Sequence, residues 1–233
     1  GADTSYGTTA IDNLYVTSHA ITIANLQPQT TYHLRAESYD VFGNGPVRSG
    51  DITITTTAPQ PPPLIVVNEV MYNPVNQSTG EFIELYNAGT ADVDMTGFTF
   101  SDGDSTDTIE PFGTGASASA ILPAGGYALI LDKDYVDGTY TIPAGTTMLT
   151  TLDSTLGNGL ATDDTISLYA PGLSDPISTY GTPLDTTDGI PITSATTGKS
   201  VERRDPTQAD APGNWCISVD VSGSTPGRAN SSC

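Results

Sequence analysis

The chain has 233 residues, and its 27 acidic against seven basic side chains give a formal net charge of −20. That charge repels phosphate polyanions and anionic membranes, so we expect no nucleic-acid partner and no membrane insertion. Only 36% of the residues are hydrophobic, whereas Gly (24) and Pro (17) are abundant. This composition favours short strands joined by tight turns, and we expect an all-β protein.

A proline-rich segment, residues 58–63, predicts an extended linker, because proline fixes φ and removes a hydrogen-bond donor. It divides the chain into residues 1–57 and residues 64–233. Residues 1–62 carry five acidic and two basic side chains, a net charge of −3, whereas the rest carries 22 and five, a net charge of −17. The second domain therefore holds almost all of the acidity.

Alternating apolar residues predict three strands in residues 1–57, around Ile21 and Ile23, around Tyr32 and Leu34, and around Ile52 and Ile54. Residues 26–32 resemble the corner of a fibronectin type III domain, where a tyrosine hydroxyl bonds back to the backbone. The resemblance covers only the second half of such a domain and implies a partial sandwich with an uncovered apolar face. The missing strands could come from an upstream segment, another copy of the chain, or the second domain.

Residues 64–233 contain at least seven strand-like segments separated by Gly, Pro, Asn and Asp. The clearest are residues 82–86, 97–100, 127–131, 165–169 and 200–203. Their spacing is typical of an immunoglobulin-like β-sandwich with long loops. No segment predicts a helix.

Several motifs in this second part occur in one order: NEV at 68–70, EFIELYN at 81–87, MTGF at 95–98, LPAGGYALIL at 122–131, DDTISLY at 163–169, GKSVERRD at 198–205 and STPGRAN at 224–230. Together they resemble the lamin tail domain family. The resemblance implies an immunoglobulin-like β-sandwich, and in bacteria a place in large secreted or surface proteins beside other β modules or hydrolases. A nuclear-lamina role is not expected, because no segment resembles a coiled-coil rod.

The two cysteines, Cys216 and Cys233, lie close together in sequence and are predicted to form a disulfide, with two unpaired thiols as the alternative. Such a loop closure contributes about 3 kcal/mol. It also indicates an oxidising, extracellular compartment. Since the chain does not begin with Met, we expect a fragment or processed product of a longer exported protein.

Two aspartate-rich runs are candidate calcium sites. Asp102, Asp104 and Asp107 form the first, and Asp132, Asp134 and Asp137 form the second. Each run places three carboxylates within six residues, which allows a curved loop to direct oxygens at one hard cation. Neither run fits the EF-hand pattern, and the alternative is that these are solvated turn aspartates.

Catalysis is not expected. Both histidines, His19 and His33, precede residue 58, and no nucleophile or metalloprotease motif is present. Glu69, Glu81 and Glu84 could form a glycosidase pair. Glu69 and Glu84, however, lie in segments that match fold-defining strands of the family, which favours a structural role for these glutamates with Arg203, Arg204 or backbone amides as partners. Metal binding by them is the alternative. Trp215 is predicted to pack in the core or on the disulfide.

These observations predict a non-catalytic, extracellular structural or adhesive module with calcium as its only candidate cofactor. Its partners would be other copies of the chain or neighbouring domains of the same precursor, engaged through open strand edges. A second hypothesis, of a different class, is an accessory domain of a secreted hydrolase whose catalytic domain lies elsewhere.

Overall fold

The computed structural model describes residues 1–14, 16–57, 63–114, 118–152, 154–181, 190–231 and 233. Two compact units, Gly1–Pro61 and Pro62–Cys233, make up the chain. The boundary falls inside the predicted linker, of which residues 58–62 lie outside the described residues. Among the described residues the one helical element is a short 3-10 turn, Pro212–Asn214, so none is long and apolar enough to cross a bilayer.

In the part of the first unit that the structure describes there are four short strands, β1 (Thr31–Leu34), β2 (Glu37–Ser38), β3 (Val47–Arg48) and β4 (Ile52–Thr55). Strand β1 pairs antiparallel with β4, and β2 pairs antiparallel with β3. The β1–β4 register sets Tyr32 opposite Ile54 and Leu34 opposite Ile52. Because side chains alternate along a strand, these four residues share one face.

The predicted corner contact is present, since the backbone N–H of Gln27 donates to the Tyr32 hydroxyl at 2.8 Å. The strand predicted around Ile21 and Ile23 is wrong, because no described strand includes these residues. Both side chains alternate as a strand requires but are exposed, and a strand forms only where another strand can pair with it. The fibronectin type III resemblance stays a prediction.

The described residues of the second unit form twelve further strands: β5 (Ile65–Met71), β6 (Phe82–Asn87), β7 (Val93–Asp94), β8 (Thr99–Ser101), β9 (Thr106–Pro111), β10 (Ile121–Leu122), β11 (Tyr127–Leu131), β12 (Thr147–Thr151), β13 (Ile166–Tyr169), β14 (Ser178–Tyr180), β15 (Val201–Arg203) and β16 (Trp215–Ile217). Ten of them form one sheet in the order β14-β13-β8-β9-β12-β11-β6-β5-β15-β16, and β7 pairs with β10. Each of the five clearest strand predictions overlaps an observed strand.

The ten-stranded sheet curls back on itself. The backbone N–H of Val67, in β5, donates to Ser178 Oγ at 2.9 Å, and Arg203, in β15, donates to the carbonyl of Thr179 at 2.8 Å. These bonds join strands near one end of the sheet order to β14 at the other end. Two layers therefore face each other across a core, and the predicted all-β, immunoglobulin-like β-sandwich is confirmed.

Strand β6 shows why this layer is buried on both faces. Ile83 and Leu85 point into the main core. Phe82 points the other way into a smaller cluster with Met71, Leu129, Leu131 and Tyr135. Glu84 alternates with Ile83 and so shares the outer face with Phe82. Alternation along the sequence would place Glu84 in solvent, but the outer face is covered and Glu84 is buried.

The two cysteines form the predicted disulfide. Cys216 lies in β16, and its Cα is 6.1 Å from that of Cys233. The bond ties the end of the chain to the edge strand of the sheet.

Candidate functional site

Three glutamates form a row across adjacent strands on the outer face of the sheet, which we call the glutamate row. Glu69 of β5 lies opposite Glu84 of β6 on one side and opposite Glu202 of β15 on the other. A bulge between Val67 and Glu69 shifts the register, so that Val67 faces the core while Glu69 faces outward with Glu84. All three glutamates are 0% exposed.

A segment near the C-terminus, residues 224–231, covers this row, and we call it the C-terminal strap. Its backbone N–H groups donate to all three carboxylates: Thr225 to Glu69 Oε1 at 2.8 Å, Gly227 to Glu84 Oε2 at 2.6 Å, and Ser231 to Glu202 Oε2 at 2.9 Å. The strap belongs to no strand. Its order therefore depends on these hydrogen bonds to buried carboxyl groups, whose oxygens can accept from a backbone N–H in either protonation state.

Side chains complete the network around the row. The Thr225 hydroxyl lies 3.0 Å from Glu69 Oε2 and 2.9 Å from Glu202 Oε1. Asn68 donates its Nδ2 to Glu84 Oε1 at 2.7 Å. In the part of the chain that the structure describes, no ion pair involves these glutamates.

Burial without a cationic partner changes how Glu69 and Glu84 titrate. Desolvation raises the pKa of Glu69 to about 7, although hydrogen bonds from Ser200 and Thr225 oppose the shift. Desolvation and the neighbouring charge of Glu69 raise the pKa of Glu84 well above its ordinary value. Glu69 and Glu84 therefore retain protons at pH values where exposed glutamates have lost theirs.

A second group of carboxylates holds a loop at residues 156–161, which we call the carboxylate-held loop. Four of its backbone N–H groups each donate to a different carboxylate: Gly157 to Asp107 Oδ2 at 2.6 Å, Asn158 to Asp102 Oδ2 at 2.9 Å, Leu160 to Glu81 Oε2 at 3.1 Å, and Ala161 to Asp164 Oδ2 at 2.7 Å. Segments distant in sequence thus converge on one loop, which they fix in place.

The structure separates the six predicted calcium ligands into two classes. Three are buried: Asp102, Asp107 and Asp132. The other three are exposed: Asp104, Asp134 and Asp137. No group of three or more His, Cys, Asp or Glu among the described residues could hold a metal ion. Calcium binding by either run stays a prediction.

The glutamates predicted to be structural do take backbone amides as partners. Arg203, the alternative partner, instead donates to the carbonyls of Val67, Gln208 and Thr179. Its guanidinium also lies 4.6 Å from the ring centroid of Trp215. Trp215 is 3% exposed and packs in the core as predicted.

Sequence reasoning did not identify Glu202 or the carboxylate-held loop as parts of a site. Glu202 lies in the motif GKSVERRD, where its alternation with Val201 and Arg203 gives no sign of burial on both faces. The loop carries one usable signal, the pair Gly157 and Gly159, whose φ values are +61° and +98°. Glycines adopt this left-handed region at no steric cost.

We predict that the second unit loses stability as the pH rises from about 4.5 to about 7. The ordinary pKa of an unfolded glutamate is 4.5, whereas the pKa of Glu69 in the folded chain is about 7. The folded state therefore holds more protons than the unfolded state in this window. The free energy of unfolding falls as the pH rises through it, by about 3 kcal/mol for Glu69 alone. Urea unfolding followed through the single tryptophan measures it.

The variant Glu69→Gln should reduce this pH dependence, because an amide does not titrate, whereas the contribution of Glu84 remains. Asp175→Asn, at an exposed position, is the control and should leave the dependence unchanged. A stability that rises between pH 4.5 and 7, or an unchanged slope in Glu69→Gln, would contradict the assignment.

We predict that Gly157→Ala destabilises the second unit by at least about 2 kcal/mol more than Gly159→Ala. Both residues have positive φ, but a Cβ at Gly157 would lie 1.8 Å from Asp102 Oδ2, whereas a Cβ at Gly159 meets no atom within 4 Å. The first variant must displace Asp102 from the loop. Urea unfolding of both proteins compares them, and equal losses would show that Asp102 does not hold the loop.

Comparison with protein families matches residues 58–190 to the family described as Lamin Tail Domain. The match includes β5, β6 and β11, together with Asp102, Asp107 and the carboxylate-held loop, but ends before Glu202 and the C-terminal strap. No curated protein matches the chain. The matched residues make up more than half of the chain and contain eight of the ten described strands of the curled sheet, so the chain belongs to the lamin tail domain family.

Proposed function

We propose that this chain is a non-catalytic structural module of a secreted or cell-surface protein, and that two copies associate through the β1–β4 sheet of the first unit. The observation that carries the proposal is the apolar face of that sheet. Ile52 and Ile54 are 50% and 39% exposed, and Tyr32 and Leu34 on the same face are only partly buried. No described residue of 1–57 is buried, so the first unit has no core of its own.

The strand edges of the first unit support the same proposal. Both of its sheets are two-stranded, so each strand has only one hydrogen-bonded neighbour there. A two-stranded ribbon is marginally stable in water, and free edges accept further strands. Ile21 and Ile23 alternate on an exposed segment without strand partners, and this segment is a candidate for the added strand.

Charge favours the first unit as the contact between copies. With a net charge of −3, two first units repel each other weakly, whereas second units at −17 would repel strongly. A second copy of the chain is therefore the occupant that we propose for the apolar face.

The buried carboxylates support a non-catalytic role. Glu69, Glu84 and Glu202 hold the C-terminal strap, which covers them. Both histidines lie in the first unit beside aspartates, His19 near Asp12 at 2.8 Å and His33 near Asp51 at 2.7 Å. The disulfide is the observation that supports an oxidising, extracellular location. The alternative of a hydrolase accessory domain stays a prediction.

We predict that the chain self-associates. The double variant Ile52→Ser, Ile54→Ser should begin to associate only at a protein concentration at least about 10-fold higher than the unchanged chain requires, because it removes apolar area from the contact. Light scattering coupled to size-exclusion chromatography measures the mass.

The matched control is Val75→Ser with Val221→Ser, which removes two exposed valines from the second unit. It should associate as the unchanged chain does. A wild-type chain that remains monomeric at the highest concentration, or a control that dissociates equally, would contradict the proposal.

A further inference from the structure

We propose that Glu81 and Asp132 form a binding site for one divalent cation, with Ca²⁺ as the ion that fits best. The site is independent of the proposed self-association. It shares Asp132 with one of the predicted aspartate runs, but Glu81 belongs to neither run, and the exposed Asp134 and Asp137 are not part of it.

The two carboxylates are brought together by the β6–β11 ladder. Leu131 is the last residue of β11 and pairs with Phe82, the first residue of β6. Asp132 directly follows Leu131, and Glu81 directly precedes Phe82. Opposite residues in antiparallel strands have Cα atoms about 4.5–5.5 Å apart. Two acidic residues therefore lie side by side at the end of one pair of strands, an arrangement that repulsion disfavours.

Both side chains are buried, Glu81 with 7% and Asp132 with 3% of its surface exposed. Neither forms an ion pair with any described residue. The nearest lysine in sequence, Lys133, is exposed and donates its Nζ to the carbonyl of Leu152 at 3.3 Å. Two neighbouring buried charges thus lack the opposite charge that normally accompanies them.

One oxygen of this pair has no partner at all. Glu81 Oε2 accepts the backbone N–H of Leu160 at 3.1 Å. Asp132 Oδ2, by contrast, is buried and accepts no hydrogen bond from any described residue. Desolvation raises the pKa of the Asp132 carboxyl to about 6, although the backbone N–H groups of Glu81 and Leu156 donate hydrogen bonds to it. The Asp132 carboxyl, held beside the start of β6 by the Glu81 N–H, thus keeps one buried oxygen that has no hydrogen-bond partner among the described residues.

The chemistry of the pair selects the ligand. An anion would be repelled, and a water molecule could donate to Asp132 Oδ2 but would leave both charges uncompensated. A divalent cation compensates both. Oxygen ligands select hard ions, and Ca²⁺ accepts irregular sets of six to eight oxygens that include carbonyls and water, whereas Mg²⁺ demands near-octahedral geometry. Two carboxylates at a strand end, completed by backbone and water, therefore suit Ca²⁺.

Titration calorimetry of the chelator-treated full chain with CaCl₂, and in parallel with MgCl₂, tests the proposal. We expect one Ca²⁺ per chain and weaker binding of Mg²⁺. The isosteric variants Glu81→Gln and Asp132→Asn should each weaken Ca²⁺ binding at least about 10-fold. Asp104→Asn and Asp137→Asn, which change exposed members of the predicted runs, should bind as the unchanged chain does.

Thermal unfolding of the same proteins separates metal binding from a structural role. Ca²⁺ should raise the melting temperature of the unchanged chain and of both control variants. Without Ca²⁺, Asp132→Asn should melt above the unchanged chain because it removes the repulsion, and Ca²⁺ should then produce no shift. No Ca²⁺ binding at millimolar concentration, or loss of binding in Asp104→Asn or Asp137→Asn alone, would overturn the proposal.

Discussion

A carboxylate can remain in a protein interior only if hydrogen bonds, a proton or a cation replace the water that it has lost. The second unit depends on hydrogen bonds, together with the protons that burial leaves on Glu69 and Glu84. The glutamate row offers its oxygens to backbone N–H groups of the C-terminal strap, and four other carboxylates do the same for the carboxylate-held loop. In both places buried carboxyl groups hold segments that have no strand pairing. Some of the acidic residues of this domain are therefore structural rather than part of a solvated surface.

This constraint explains how a sheet with long connections stays ordered on both faces. The bulge between Val67 and Glu69 puts a valine on the core side and a glutamate on the outer side, where the strap covers it. The disulfide from Cys216 to Cys233 then holds the end of the strap against β16. The first unit has no comparable device, since none of its described residues is buried. That contrast is why assembly is assigned to the first unit and rigidity to the second.

Sequence pattern predicts the strands and the sandwich, because apolar alternation is a local property that β6 and β11 display clearly. The alternation of apolar residues gives a wrong prediction for Ile21 and Ile23, because a strand also needs a neighbouring strand to pair with, and the pattern carries no information about that neighbour. Sequence pattern selects Asp102 and Asp107 as acids in a turn but cannot show that they bind backbone amides about 50 residues away. Glu202 escapes detection for the same reason, since its neighbours Glu69 and Thr225 are close only in the folded sheet.

Hydrogen exchange at individual backbone amides, followed by NMR, tests the central claim most directly. If buried carboxylates hold the C-terminal strap, the amides of Thr225, Gly227 and Ser231 should exchange nearly as slowly as strand amides of β5 and β6, although none of the three lies in a strand. Exchange as fast as in exposed turns would show that the strap opens freely and would contradict the account.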